Sequence, residues 1–233
     1  MAIIGGGGWG TALGVHLARV GHEPVLWARD AALVADMEAR RANAVYLPEV
    51  RFPDRLRVTT DLDAALADAD LIVWAVPSHG TRAVLRRAAA AIHSGAIVVS
   101  ATKGIEQGSL FRVSEIIGQE LGPQVRVAVL SGPSFAVELA RALPTAVSVA
   151  SIDAEVVTRV QADFRAPYFR LYGTDDVVGV EIGGAIKNVI AIAAGVAEGL
   201  GLGHNALAGL ITRGLAEMSR LADSYGLDVW AWY

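Results

Sequence analysis

The chain has 233 residues, a formal net charge of −4, and 53% hydrophobic against 19% charged residues, so a disordered chain is excluded and a sizeable core is expected. The negative net charge argues against non-specific nucleic-acid binding, and we expect no nucleic-acid partner. Because the chain has no cysteine and its five histidines are scattered, we expect no disulfide, no thiolate chemistry and no metal site.

Short apolar runs alternate with longer helix-like segments, and most runs lack polar alternation, as is typical of strands buried on both faces of a parallel sheet. Strands are predicted at residues 2–4, 24–28, 71–75, 96–100, 125–130 and 146–150, with a weaker candidate at 169–172. Helices are predicted at residues 11–20, 31–41, 81–91, 110–121, 135–141 and 154–164. This alternation predicts an α/β fold with a doubly wound sheet.

The pattern changes after about residue 176, which predicts a domain of residues 1–176 followed by the first helices of an incomplete all-α domain at residues 177–233. Residues 182–200 are small and apolar all round, which predicts a buried helix. Residues 206–222 place apolar side chains on one face and charged side chains on the other, which predicts an amphipathic helix packed on a neighbour.

The N-terminus lacks the basic and apolar regions of a secretory signal. The apolar stretches are shorter than the roughly 18–20 residues that a membrane span needs. We therefore expect a cytoplasmic protein without a membrane partner.

Gly5, Gly7 and Gly10 form a G-x-G-x-x-G motif between the first predicted strand and the first predicted helix, the context in which this motif binds a dinucleotide. Gly5 allows a sharp turn, Gly7 lets a pyrophosphate approach the backbone, and Gly10 lets the helix pack closely on the strand. The helix N-terminus then attracts the anion. The motif predicts a Rossmann-type dinucleotide domain, and an ordinary tight turn is the alternative.

The position that reads the cofactor ribose is expected about twenty residues further on, at the end of the second strand, where the sequence is Arg29-Asp30. An acidic residue there favours NAD, whereas an arginine pairs with the 2′-phosphate of NADP. Arg29 therefore makes the site compatible with NADPH as well as NADH. The alternative is that Arg29 is a solvated surface residue and that Asp30 caps the next helix.

Lys103 and Lys187 are the only lysines among the 20 basic residues. A lysine changes its protonation state when buried and an arginine does not, so both lysines are candidates for chemistry. Lys187 lies in an otherwise apolar helix, which predicts a desolvated amine with a lowered pKa that is suited to proton transfer. The alternatives are a solvated loop position for Lys103 and a helix-edge position for Lys187, with its amine reaching water.

Several motifs follow one another along residues 3–227: Gly-x-Gly-x-Trp-Gly-Thr-Ala-Leu, Leu-Trp-Ala-Arg-Asp, Asn43-x-x-Tyr46-Leu47-Pro48, Val-Pro-Ser, Ala-Thr-Lys-Gly, Leu-Ser-Gly-Pro-Ser-Phe-Ala, Gly-Gly-Ala-Ile-Lys-Asn-Val and Leu-Ile-Thr-Arg-Gly-Leu-Ala-Glu-Met. In this order they closely resemble bacterial NAD(P)-dependent glycerol-3-phosphate dehydrogenase. The resemblance implies reversible reduction of dihydroxyacetone phosphate to sn-glycerol 3-phosphate with NADH or NADPH, a reaction that feeds glycerophospholipid synthesis.

The resemblance also implies a role for individual residues. Lys187 would be the proton donor and acceptor, and Lys103, Gly132 and Ser134 would hold the substrate with it. Cofactor contacts would come from Gly5, Gly7, Gly8, Trp9, Gly10, Arg29, Lys103 and Ala136, with Tyr46 as a further candidate. The sequence leaves the oligomeric state open, a homodimer included.

Family members continue past the position of Gly226 into stretches that supply further substrate ligands, whereas residues 227–233 do not resemble the family. The chain is therefore similar to the N-terminal two-thirds of a C-terminally truncated enzyme, which puts its own turnover in question. Two alternatives stay open at this point: a dinucleotide-binding fragment without turnover, and another two-domain dehydrogenase of the β-hydroxyacid type.

Overall fold

The computed structural model describes residues 1–224, with side chains through residue 221. The strands are β1 (Ala2–Ile4), β2 (Val25–Trp27), β3 (Ala42–Asn43), β4 (Leu47–Arg51), β5 (Arg57–Thr59), β6 (Leu71–Trp74), β7 (Ile97–Ser100), β8 (Arg126–Ser131), β9 (Thr145–Ala150) and β10 (Phe169–Thr174). Eight of them form one sheet in the order β10-β9-β8-β7-β6-β1-β2-β5, while β3 and β4 form a separate antiparallel hairpin.

The helices are α1 (Gly8–Arg19), α2 (Ala31–Arg40), α3 (Leu62–Leu66), α4 (Ser78–Ala88), α5 (Val113–Leu121), α6 (Ala136–Ala140), α7 (Ala154–Phe164), α8 (Val177–Gly199) and α9 (Gly203–Ser224). Alternate residues of β1 point to opposite faces of the sheet. Ile3 belongs to one buried apolar cluster, whereas Ala2 and Ile4 belong to another. The prediction of a doubly wound α/β sheet, buried on both faces, is confirmed.

The strand directions bring the functional loops to one edge of the sheet. Strands β1, β6, β7 and β8 are neighbours and run parallel, so the loops that follow them leave from the same edge. Strand β9 runs antiparallel to β8, and β10 runs parallel to β9. The reversal follows from a short connection, since only the five-residue helix α6 lies between β8 and β9.

Several element boundaries differ from the sequence predictions. The β3–β4 hairpin, β5 and α3 were not predicted, because they are short and β4 contains Pro48 and Glu49. Helix α5 begins at Val113 rather than at residue 110, because Leu110 adopts a positive φ of 60° that a helix does not accept. Helix α8 begins five residues earlier than predicted, at Val177, where Asp176 caps it by accepting a hydrogen bond from the Gly179 amide.

The prediction that residues 182–200 form a buried helix is wrong for most of that segment. Helix α8 packs against the sheet on one side and α9 on another, while Val189 and Ile192 are 64% and 69% exposed. Helix α9 turns Gly214 and Met218 towards α8, as its amphipathic pattern predicts; a Cβ on Gly214 would lie 2.7 Å from the Ile190 Cδ1. The tail at residues 227–233 lies outside the described residues.

The sequence predicts that the apolar stretches are too short for a membrane span, and α8 departs from that prediction. Within residues 1–224 it is the one helix whose length and mean hydropathy of 1.7 would suffice for a membrane span. Length and composition alone do not establish a span, and 22% of the most apolar window of α8 is buried. The division at residue 176 remains a prediction, and α8 begins directly after it.

A buried histidine connects α1 to the far end of the sheet. The side chain of His16 is fully buried, and its Nε2 donates to the carbonyl oxygen of Phe164 at 2.8 Å. This bond leaves Nδ1 as the acceptor for the Tyr168 hydroxyl at 3.1 Å. Burial is the main reason that the pKa of His16 is lowered from 6.5 to about 4.

We expect the free energy of unfolding to decrease as the pH falls from 6.5 towards 4. Over this range the unfolded chain binds a proton at residue 16 that the folded chain does not, so the loss approaches about 3 kcal/mol. Urea unfolding across this pH range measures it. The His16→Gln variant should show a flatter dependence, whereas His204→Gln, at an exposed position of α9, should keep the parent slope. An equal slope in the parent and in His16→Gln would contradict the assignment.

Candidate active site

The glycine-rich loop between β1 and α1 has the geometry of a dinucleotide cradle. Gly5 has a φ of 127°, and a Cβ there would lie 2.5 Å from the carbonyl oxygen of Ala75. A Cβ on Gly10 would collide with the carbonyl oxygen of Gly5, so α1 packs directly on its own loop. A Cβ on Gly7 would meet nothing within 4 Å, because this side of the loop faces open space.

These features fit the pyrophosphate of a dinucleotide. Helix α1 begins at Gly8 with Gly7 as its N-cap, and its first turn contains no acidic residue. Its free amide groups therefore present partial positive charge to the open space beside Gly7. The residues of this loop suit NADH or NADPH.

The structure separates the roles of the two residues at the ribose-reading position. Asp30 caps α2, since its Oδ1 accepts from the amides of Ala32 at 2.9 Å and Leu33 at 3.1 Å. Arg29 is exposed two residues after the end of β2 and makes no hydrogen bond or ion pair with the part of the chain that the structure describes. The capping alternative thus holds for Asp30, whereas the guanidinium of Arg29 is available to a ligand.

Asn43 supports this loop, a role that its sequence motif alone did not indicate. It is fully buried, and its Nδ2 donates to the carbonyl oxygen of Gly6 at 3.0 Å and to Thr11 Oγ1 at 2.9 Å. Its Oδ1 accepts from the amide of Tyr46 at 3.0 Å. The Asn43-x-x-Tyr46 motif was the sequence signal that could have revealed this role. It did not indicate a contact with the glycine loop, because the β3–β4 hairpin that carries Asn43 was not predicted.

Three other predicted cofactor residues lie beside the glycine loop. A Cβ built on Gly8 would be 3.6 Å from the Cβ of Ala136 and 3.2 Å from the carbonyl oxygen of Tyr46. The N-terminus of α6 and the hairpin therefore flank the start of α1. Trp9 is partly buried and packs against the apolar cluster that contains Ile3, so packing accounts for part of its environment.

A cavity of about 540 Å³ lies between the sheet edge and helices α8 and α9. Its lining brings together all four predicted substrate residues, namely Lys103, Gly132, Ser134 and Lys187, and adds Asn188. None of the described residues that line it is acidic. Two lysines without a facing carboxylate make this cavity suitable for an anionic ligand.

The two lysines meet through the loop that follows β8. Lys103 Nζ donates to Ser134 Oγ, and Ser134 Oγ donates to the carbonyl oxygen of Gly132 at 3.1 Å. Lys187 Nζ donates to the same carbonyl oxygen from α8. Gly132 has a φ of 144°, and a Cβ there would lie 2.9 Å from the Cα of Val147, so only glycine fits.

The environment of these amines favours the uncharged form of Lys187. Burial, and then the nearby Lys103 cation, lower the pKa of Lys187 from 10.5 to about 8. Burial also lowers the pKa of Lys103, while its hydrogen bond with Lys187 opposes that change. Both amines therefore give up a proton more readily than a solvated lysine, and Lys187, with its pKa of about 8, can exchange a proton near neutral pH.

Comparison with known proteins identifies one family over most of the chain. A family profile described as the N-terminus of NAD-dependent glycerol-3-phosphate dehydrogenase matches residues 1–157, and the corresponding C-terminus profile matches residues 176–230. The prediction that residues 227–233 do not resemble the family is therefore wrong for residues 227–230. A glycerol-3-phosphate dehydrogenase [NAD(P)+] of Geobacter metallireducens is 50% identical over 98% of this chain and 69% of its own length. One from Xanthomonas euvesicatoria is 51% identical over 97% of this chain and 66% of its own length.

Solved structures agree with the sequence relatives. The glycerol-3-phosphate dehydrogenase of Coxiella burnetii superposes with a TM-score of 0.94 and 42% identity, covering 99% of this chain and 70% of that one. The yeast enzyme GPD1 superposes with a TM-score of 0.83 and 29% identity, covering all of this chain and 72% of that one. This chain thus spans about two-thirds of the length of these relatives. It belongs to the NAD(P)-dependent glycerol-3-phosphate dehydrogenase family of oxidoreductases, which reduce dihydroxyacetone phosphate with NADH or NADPH.

Proposed function

We propose that this chain provides the cofactor cradle and the proton-transferring lysine for the reversible reduction of dihydroxyacetone phosphate to sn-glycerol 3-phosphate in the cytoplasm, a step that feeds glycerophospholipid synthesis. The observation that carries this proposal is the convergence of Lys103 and Lys187 on the Gly132–Ser134 loop, in a cavity without acidic lining in the described residues. The anionic phosphate ester of the substrate suits this positive environment.

Each residue has a distinct part in the proposed reaction. The glycine loop and Arg29 hold the dinucleotide, and when bound its nicotinamide supplies the hydride for the C2 carbonyl carbon. The ammonium of Lys187 gives its proton to the carbonyl oxygen, which thereby becomes the C2 hydroxyl. Lys103 remains cationic and stabilises the negative charge that develops on that oxygen. In the reverse direction the neutral amine of Lys187 accepts the hydroxyl proton.

The proposal is tested by adding dihydroxyacetone phosphate to the purified chain with NADPH, after NADPH binding has been established by fluorescence in the same sample. We expect binding, followed by substrate-dependent loss of NADPH absorbance. Binding without oxidation would contradict the proposed turnover and would favour a dinucleotide-binding fragment.

Replacing Lys187 with methionine should reduce turnover by about 10²–10⁴-fold while leaving NADPH affinity nearly unchanged, because only the transferred proton is lost. Reduction by the parent should decline as the pH rises through about 8, the pKa of Lys187, and the variant should lack that inflection. Steady-state rates across this pH range provide the measurement. Arg87→Met, at an exposed position of α4, is the control. Undiminished turnover in Lys187→Met would refute the proton-transfer role.

Replacing Arg29 with glutamate should weaken NADPH binding by about tenfold or more and affect NADH much less. The variant removes a cation from the 2′-phosphate and adds a repelling charge. Fluorescence titration with both cofactors measures the ratio, and Arg87→Glu makes the same change of charge on α4 as a control. Equal weakening of the two cofactors would show that Arg29 does not read the 2′-phosphate.

Replacing Asn43 with alanine should weaken NADH and NADPH binding by similar factors, because the loop that holds their common pyrophosphate loses its support. The buried groups left unpaired should also cost about 1–3 kcal/mol of stability. Cofactor titration and thermal unfolding of the same samples separate the two effects. Asn205→Ala, at the exposed start of α9, should change neither. Full cofactor affinity in Asn43→Ala would contradict the supporting role.

A further inference from the structure

A buried carboxylate joins the helix that carries Lys187 to the N-terminus of α5. Glu181, on α8, is only 8% exposed. Its Oε1 accepts from the amide of Ser114 at 2.8 Å, and its Oε2 accepts from the Ser114 hydroxyl at 2.5 Å and from Arg112 Nη1 at 2.8 Å. Three donors from one short segment therefore hold one side chain of another helix.

The α5 end of this contact leads back to Lys103. Arg112 pairs with Ile105 in an isolated antiparallel bridge, and Lys103 stands two residues before Ile105. Glu115 holds the Arg112 backbone in place, because its Oε2 accepts a hydrogen bond from the Arg112 amide at 2.8 Å. The segment that contains Lys103 is thus paired with Arg112, which donates a hydrogen bond to Glu181.

The α8 end of the contact leads to Lys187. Glu181 precedes Lys187 by six residues in one continuous helix, so a rigid rise of about 9 Å separates them. Between them, Gly184 packs so closely on β8 that an added Cβ would collide with Ser131 Oγ. A rotation or lift of α8 at Glu181 would therefore be transmitted to the amine of Lys187.

We infer that Glu181 is a positioning residue that sets the distance between the amines of Lys187 and Lys103 by fastening α8 to the start of α5. The inference deepens the proposed function, because the burial of Lys187 and its closeness to Lys103 together determine how readily Lys187 releases its proton. It assigns Glu181 no direct contact with substrate or cofactor.

The direction in which the pKa of Lys187 changes when Glu181 is replaced distinguishes a positioning role from a simple charge effect. Removing the negative charge of Glu181 without moving α8 would disfavour nearby cations and lower the pKa of both lysines. Releasing α8 would instead separate Lys187 from Lys103 and admit water, and both changes raise the pKa of Lys187. A Gln side chain keeps one acceptor oxygen but replaces the other with an amide donor, which cannot accept from Arg112, so Glu181→Gln should weaken the contact.

The test uses the full chain labelled with ¹³C at lysine Cε, which gives only two lysine signals. The Lys187→Met variant assigns them. In the parent the Lys187 signal should titrate near its pKa of about 8. In Glu181→Gln we expect that pKa to rise by about one pH unit or more, a roughly tenfold decrease in free amine at a given pH below it.

A matched control and a milder variant accompany this measurement. Glu155→Gln removes the same charge from an exposed ion pair with Arg126 and should leave the titration unchanged. Ser114→Ala removes one hydroxyl donor and should raise the pKa of Lys187 by a smaller amount, which keeps the test informative where Glu181→Gln does not fold. An unchanged or lowered pKa of Lys187 in Glu181→Gln, or in Ser114→Ala where the first variant does not fold, would overturn the inference.

The outcomes also separate this inference from the proposed function, because the titration needs no turnover. A raised pKa in Glu181→Gln with no substrate-dependent NADPH oxidation in the parent would uphold the positioning role and contradict the proposed reaction. An ordinary pKa of Lys187 in the parent, near 10.5, would overturn the inference. NADPH oxidation by that parent would then support the reaction alone.

Discussion

The contact between Lys187 and the carbonyl oxygen of Gly132 is the interaction on which the arrangement of the site depends. It brings an amine from α8 to the carboxyl edge of the sheet, where the loop after β8 emerges. The contact requires a close approach, which glycines allow at two points. Gly132 lies against Val147, and Gly184 lies against Ser131. A larger side chain at Gly184 would push α8 away from β8, and one at Gly132 would displace the loop from β9, so either change would disturb the contact between Lys187 and the loop.

One short segment serves both halves of the site. In the segment from β8 to α6, Gly132 and Ser134 face the lysines, while Ala136 lies beside Gly8 at the start of α1. A cofactor held at the glycine loop and a substrate held in the cavity would therefore contact the same stretch of backbone. This continuity gives a physical reason for the recognisable sequence of this loop, since few substitutions preserve both neighbours.

The two parts of the site use charge in opposite ways. The glycine loop offers backbone amides and a helix N-terminus, whose partial charges do not depend on pH. The cavity offers two amines whose protonation depends on burial and on each other. The first arrangement suits the permanent anions of a pyrophosphate. The second suits a reaction in which a proton has to move.

The sequence by itself determined the alternation of strands and helices, the glycine turn and the candidate lysines, because these depend on local periodicity and on residue type. It did not determine the β3–β4 hairpin, the antiparallel β9 or the burial of α8, because those depend on which distant segments pair. Asn43 bonds to a loop 37 positions away, and Glu181 bonds to Ser114 across 67 positions. Only the tertiary structure decided such contacts, because a polar side chain becomes a support for the site when folding buries it beside a matching donor or acceptor.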